Sequence, residues 1–85
     1  MQFDAAVIKE QGLTFAVVMV KSHVFNNTAS KNEAINSFSS YFPAMPIVIA
    51  RQTRGTVEYA GRKDIVNFLA NLHPSQLPWK TYSAS

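Results

Sequence analysis

The sequence contains no cysteine among its 85 residues. Disulfide bonds, zinc sites built from thiolates and cysteine nucleophiles are therefore excluded, and thiol redox chemistry with them. Glycine is scarce as well, because only Gly12, Gly55 and Gly61 occur. A loop that cradles phosphate needs several glycines close together, so this class of nucleotide site is also excluded.

Charged side chains make up only 15% of the chain. The five carboxylates are scattered, and no two form a close pair suited to general acid–base catalysis. His23 and His73 lie far apart, without a carboxylate at ligand spacing, whereas a zinc site needs three or four converging donors. No serine stands in a Gly-x-Ser-x-Gly elbow. We therefore expect no enzymatic activity, no metal and no cofactor.

Long hydrophobic runs are missing too. The longest, Phe15–Val20, has about a third of the length that a membrane span needs. The first residues lack the basic region and long apolar run that are typical of a secretory signal, so we expect a cytoplasmic location and no membrane association. The low charge and a hydrophobic fraction of 47% argue against disorder and favour one small globular domain.

The hydrophobic pattern predicts four strands. Phe3–Ile8 alternates weakly, and Gly12 suits the hairpin turn that follows it. Thr14–Val20 is apolar on both faces, which is typical of a central strand that is covered on both sides. Pro46–Ala50 is a second stretch of this kind, and the polar turn within Ile47–Ala60 predicts a β-hairpin.

Two amphipathic helices are predicted. Ser30–Glu33 matches a capping box, and apolar residues at helical spacing behind it predict a helix over Lys31–Phe42. Asp64–Leu72 follows the i, i+3, i+4, i+7 pattern, and a proline ends each of the two helices. We expect Phe38 and Phe68, in the middle of the two apolar stripes, to be buried against Val18 and Ile49 of the central strands.

The order β-β-α-β-β-α predicts an α/β (α+β) fold, with a mixed four-stranded sheet and two helices in a single domain over residues 1–73. Residues 74–85 form a tail without helical periodicity. Its Leu77, Trp79 and Tyr82 are too apolar for a loose end, so we expect the tail to pack on the domain or on a partner.

The segment Thr14–Leu72 resembles the C-terminal half of the thioredoxin fold. The shared features are a buried strand, a helix, a proline-headed strand, a hairpin and a closing helix, with Met45-Pro46 and Gly61 as the most characteristic positions. The resemblance implies a cis peptide at Met45-Pro46 and a groove beside Pro46 that holds an extended peptide. The Cys-x-x-Cys unit of that family is absent, so no redox role is implied.

Basic residues are concentrated in and after the predicted hairpin, and only Glu58 opposes them there: Arg51, Arg54, Arg62 and Lys63. Such a patch attracts phosphate, with Tyr59 as a stacking residue. The alternative interpretations are that the basic residues lie on a solvated turn and that Tyr59 faces the core. Eight basic residues are few for nucleic-acid binding, which draws on several phosphate contacts.

Non-catalytic binding to protein, or self-association, is therefore the predicted function. Weak nucleic-acid binding through Arg51–Lys63 is the alternative. A sheet edge, the proline groove or the tail would form the protein-binding surface, and a sheet edge needs no special side chains. The candidate binding residues are Met45 and Pro46 in the groove, Trp79 and Tyr82 in the tail, and Arg51 and Arg54 in the hairpin.

Overall fold

Every element of the fold lies within residues 1–10 and 12–83, which the computed structural model describes. The predicted turn before Gly12 includes Gln11, and the predicted tail ends with Ala84 and Ser85. These three residues lie outside the described part of the chain. Gly12 itself has a φ of 80°, which suits the turn predicted there.

The described residues form five strands, two α-helices and two short 3-10 helices. In chain order they are β1 (Gln2–Glu10), β2 (Leu13–Met19), a 3-10 helix (Ser22–Asn26), α1 (Thr28–Ser39), β3 (Ile47–Thr53), β4 (Thr56–Ala60), α2 (Lys63–Ala70), a second 3-10 helix (Pro74–Gln76) and β5 (Lys80–Ser83). The strands lie in the order β4-β3-β2-β1-β5. Strands β2 and β3 are parallel, and the other neighbours are antiparallel.

A mixed sheet with two helices is thus confirmed, but the predicted number of four strands is wrong. The fifth strand comes from the tail, where Tyr82 pairs with Phe3 on β1. The two rings stack with their centroids 5.5 Å apart, and the ring of Phe42 meets Tyr82 edge-on at 5.3 Å. These aromatic contacts over the backbone ladder explain why so polar a segment forms a strand.

The two central strands are buried on both faces, as their apolar sequences predict. On one face, here called the α2 face, Phe15 and Val48 pack against Ile65 and Leu69 of α2, and Leu77 of the tail completes this core. On the opposite face, the α1 face, the buried residues are Phe3, Ala5, Ala16, Val18, Ile47 and Phe42, with Ile35 and Phe38 of α1 packed against them. The helices therefore cover opposite faces of one sheet.

The first helix begins earlier than the sequence indicated. The side chain of Asn27 accepts a hydrogen bond from the Ser30 backbone N–H at 2.7 Å, so Asn27 is the N-cap and Ser30 lies inside the helix. Asparagine is as good an N-cap as serine, which is why the capping-box signal three residues later was misleading. The helix also ends at Ser39, and Phe42 is buried in the turn that follows.

Phe38 is only half-buried against the α1-face core, and no residue of α1 is fully buried. Phe68 is likewise only half-buried, so the expectation that both phenylalanines are buried in the core is wrong. Phe68 packs near Phe15, with ring centroids 6.3 Å apart, at the margin of the α2 face. The fully buried positions of α2 are Ile65 and Leu69 instead. Among the described residues, no helix is long and apolar enough to cross a membrane.

Candidate functional site

Strand β4 lies at an edge of the sheet, where β3 is its neighbour. The direction of its backbone groups follows from the hydrogen bonds on the far side of β3. The carbonyls of Pro46 and Ala50 accept hydrogen bonds from the N–H groups of Ala16 and Val20, at 3.0 and 2.8 Å. Because successive residues of a strand alternate in direction, the even-numbered residues of β3 bond to β2 and the odd-numbered ones to β4.

The β4 partners of those odd-numbered residues are Thr56, Glu58 and Ala60. The N–H and C=O groups of Val57 and Tyr59 therefore point away from the sheet. No backbone hydrogen bond within the described part of the chain reaches these four groups. An edge with free groups of this kind pairs readily with an added strand.

The edge lacks some of the features that usually block such pairing. β4 contains neither proline nor lysine, and its one charged side chain is Glu58. The Glu58 carboxylate accepts a hydrogen bond from the Arg51 guanidinium at 2.7 Å, so its charge is balanced on the α1 face. The edge of β4 is thus open to another strand.

An apolar groove of about 460 Å³ lies beside this edge on the α2 face. Val57 and Tyr59 form its β4 side, and Val66, Leu69 and Leu72 lie across from them. Partial burial here raises the pKa of the Tyr59 hydroxyl. The Tyr59 ring thus packs against the α2-face core, which agrees with the core-facing interpretation and not with the stacking one.

Arg51, a candidate for phosphate binding, is already held by other groups of the protein. Its guanidinium contacts Glu58, donates a hydrogen bond to the Ser22 carbonyl at 3.3 Å, and lies 5.0 Å from the centre of the Phe25 ring. These contacts tie the first 3-10 helix to the hairpin. Arg51 therefore has a structural position rather than a free cationic one.

The other basic residues do not gather into one patch. Arg54 is exposed at the β3–β4 turn, while Arg62 lies beyond the opposite end of β4 and donates hydrogen bonds to Asp64 at 2.9 Å. The Arg62 guanidinium holds the pKa of the Asp64 carboxyl below its usual range. Five β4 residues separate the two ends, about 17 Å at 3.4 Å per residue. The cations of the hairpin are thus divided between the two ends of β4.

Met45 and Pro46 lie just before β3, where Met45 packs against the α1-face core. The predicted cis peptide is wrong, since the described residues contain no cis bond. Trans is the ordinary state of an X-Pro bond, and the turn here is made by Ala44, whose φ is 66°. The Pro46 carbonyl already accepts a hydrogen bond from the Ala16 N–H, so this carbonyl is engaged within the sheet.

The tail residues Trp79 and Tyr82 are both turned toward the domain. The Trp79 indole N–H donates to the Pro74 carbonyl at 2.9 Å, and the ring packs against the α2-face core. Tyr82 lies on the α1 face against Phe3 and Phe42. Of the six residues predicted for binding, only Arg54 is an exposed side chain near the β4 edge.

No three His, Asp or Glu side chains of the described residues come together as a metal site requires. The residues that the sequence reasoning did not single out for binding are Val57 and the apolar residues of α2. The sequence marked β4 only as the second strand of a hairpin, and its place at the edge of the sheet depends on long-range pairing. No protein-family model, no curated protein and no solved structure matches the chain.

Proposed function

We propose that this domain is a non-catalytic protein-interaction module that binds an extended segment of another protein along β4. The bound segment would add a sixth strand to the sheet, the mode known as β-strand addition. The observation that carries the proposal is the set of outward-facing backbone groups of Val57 and Tyr59 beside an apolar groove.

Measurable affinity requires both the free backbone groups of β4 and the apolar groove. Four backbone hydrogen bonds contribute a net of about 2–6 kcal/mol, at 0.5–1.5 kcal/mol each. Association costs at least about 4 kcal/mol in lost translational and rotational freedom. Hydrogen bonds alone therefore give little affinity, and side chains of the segment must bury apolar area in the groove. We expect micromolar binding and a preference for apolar residues at alternate positions.

The thioredoxin-like resemblance suggests a different surface, the groove beside Pro46. The β4 edge is the better-supported surface because the Pro46 carbonyl already accepts a hydrogen bond, whereas Val57 and Tyr59 have free backbone groups. Nucleic-acid binding has less support, since Arg51 and Arg62 are each paired with a carboxylate.

The experiment is to select peptides from a displayed random library on the folded protein and to map the binding of one by amide NMR. Binding should slow hydrogen exchange at the Val57 and Tyr59 amides. Val57→Pro removes one outward N–H and should abolish binding, while Val57→Thr keeps the N–H and the branched shape and should retain it. A peptide that binds but leaves the Val57 and Tyr59 amides unprotected from exchange would contradict the proposal. This test uses the unmodified protein, so it does not depend on whether Val57→Pro folds.

A further inference from the structure

We infer that the segment bound along β4 has an apolar centre with an acidic residue at each end. This inference rests on the proposed function and specifies the chemistry of the partner. It is carried by the charges that flank the β4 edge and by a second groove at one end of it.

At the turn end of β4, Arg54 presents an unpaired cation. Its side chain is exposed, and within the described residues it has no ion pair or hydrogen bond. Its backbone is in the left-handed region, with a φ of 45°, and Gly55 follows at 83°. These φ values are typical of two-residue hairpin turns, in which asparagine or glycine is the usual residue. The backbone conformation at position 54 therefore does not favour arginine.

At the other end, a groove of about 370 Å³ opens on the α1 face beside Ala60 and Gly61. Lys31 of α1 and Arg62 line this groove. Arg62 shares its charge with Asp64, whereas Lys31 has no carboxylate partner among the described residues. A peptide that continues past Ala60 therefore meets a cationic groove.

The middle of the edge is electrically neutral, because Arg51 balances Glu58. The edge thus has positive charge at each end and an apolar groove between. The two ends are about 17 Å apart, which five extended residues span. A segment with five central residues and an acidic residue on either side matches this spacing.

The same charges disfavour a second copy of the chain as the occupant. Antiparallel pairing of two β4 strands places Arg54 of one copy at the Arg62 end of the other. Parallel pairing places the two Arg54 residues together. In either arrangement cationic side chains of the two copies lie close together, and their repulsion disfavours the complex. An acidic peptide would instead be attracted to these side chains.

The test uses three seven-residue peptides in which valine and threonine alternate over the five central positions. The ends are both glutamate, both glutamine or both lysine. Binding is measured from the Val57 and Tyr59 amide shifts at low ionic strength and at about 0.5 M salt. The glutamate peptide should bind about four- to tenfold more tightly than the glutamine peptide, and salt should remove the difference, since exposed ion pairs are weak and screened.

Arg54→Gln and Lys31→Gln should each reduce the preference for glutamate by about two- to threefold, and Lys9→Gln, on the distant strand β1, should not change it. Equal binding of the glutamate, glutamine and lysine peptides would overturn this inference and leave strand addition intact. Absence of binding by every peptide, selected ones included, would overturn the proposed function itself. A concentration-dependent doubling of mass through β4 would assign the edge to a second copy and also overturn the inference.

Discussion

Leu77 gives the sharpest test of how the C-terminal segment stabilises this protein. It is only 6% exposed and completes the core between the sheet and α2. Truncating a buried leucine to alanine costs about 2–5 kcal/mol, and a site near the chain terminus relaxes more easily than a central one. We therefore expect Leu77→Ala to lower the free energy of unfolding by about 2–3 kcal/mol.

That loss is large for a domain of this size. At about 0.05–0.15 kcal/mol per residue, the whole chain is stable by roughly 4–13 kcal/mol. Each kcal/mol corresponds to about 4–8 °C in melting temperature for a small domain, so the variant should melt about 8–24 °C lower. Val7→Ala, the truncation of an exposed aliphatic side chain on β1, is the control. Val7 is 37% exposed, so this substitution should lower the free energy of unfolding by less than about 1 kcal/mol.

The assay is urea unfolding followed by circular dichroism and by the fluorescence of Trp79, the one tryptophan of the chain. Because Trp79 lies two residues beyond Leu77 and packs on the same core, the two signals should change together with an unchanged m value. A Leu77→Ala protein as stable as wild type would refute the packing of the tail. So would a fluorescence transition that clearly precedes the loss of secondary structure, because the tail would then unfold on its own.

Four positions outside the tail give further tests by urea unfolding. Arg62 lowers the pKa of the Asp64 carboxyl in the folded protein. The stability that the ionised carboxylate adds is therefore present above the usual aspartate pKa and is lost as the pH falls through the lowered pKa. Asp64→Asn should lack this dependence on acid pH. Burial raises the pKa of Tyr59, so stability should decline as the pH rises past the usual tyrosine pKa, and Tyr59→Phe should remove the decline. Gly61→Ala should cost about 1–3 kcal/mol, because φ is 148° and the new Cβ would lie 3.2 Å from a β3 backbone oxygen; an unchanged midpoint would show that β3 can shift. Arg54→Asn should stabilise by about 0.5–1 kcal/mol by relieving a left-handed arginine, and a lower melting temperature would contradict this reading of the turn.

The two central strands were predictable because consecutive apolar residues in a strand must be buried on both faces of the sheet. Val17 and Val18 are adjacent and both fully buried, so their strand must be covered on both faces. The same holds for Val48 and Ile49 in β3. The hairpin that follows was indicated by local turn chemistry around Gly55. In each case the sequence signal lies within a few consecutive residues.

The fifth strand was not predictable in this way. Lys80–Ser83 is short and largely polar, and it becomes a strand by pairing with the opposite terminus of the chain. The Thr81 hydroxyl donates to the Asp4 carboxylate at 2.7 Å, and Tyr82 stacks on Phe3. Such contacts between distant residues leave no periodicity to detect. The sequence indicated only that the tail was too apolar to be loose.

The candidate site was predictable in kind but not in place. A sheet edge was among the expected binding surfaces, but the choice of edge depends on where the last strand pairs. The tail covers part of β1, and the edge that it forms is only four residues long and begins with Lys80, both features that discourage further pairing. Strand β4 keeps its outward N–H and C=O groups free.

The placement of the helices then determines what lies beside that free edge. Because β2 and β3 must be covered on both faces, α1 packs on one side of the sheet and α2 on the other. The helix α2 follows β4 directly and returns across the α2 face, so its residues Val66 and Leu69 stand opposite Val57 and Tyr59 and form the groove. The burial that stabilises the core therefore also places an apolar surface next to the unpaired strand, the combination that recognition of an extended peptide requires.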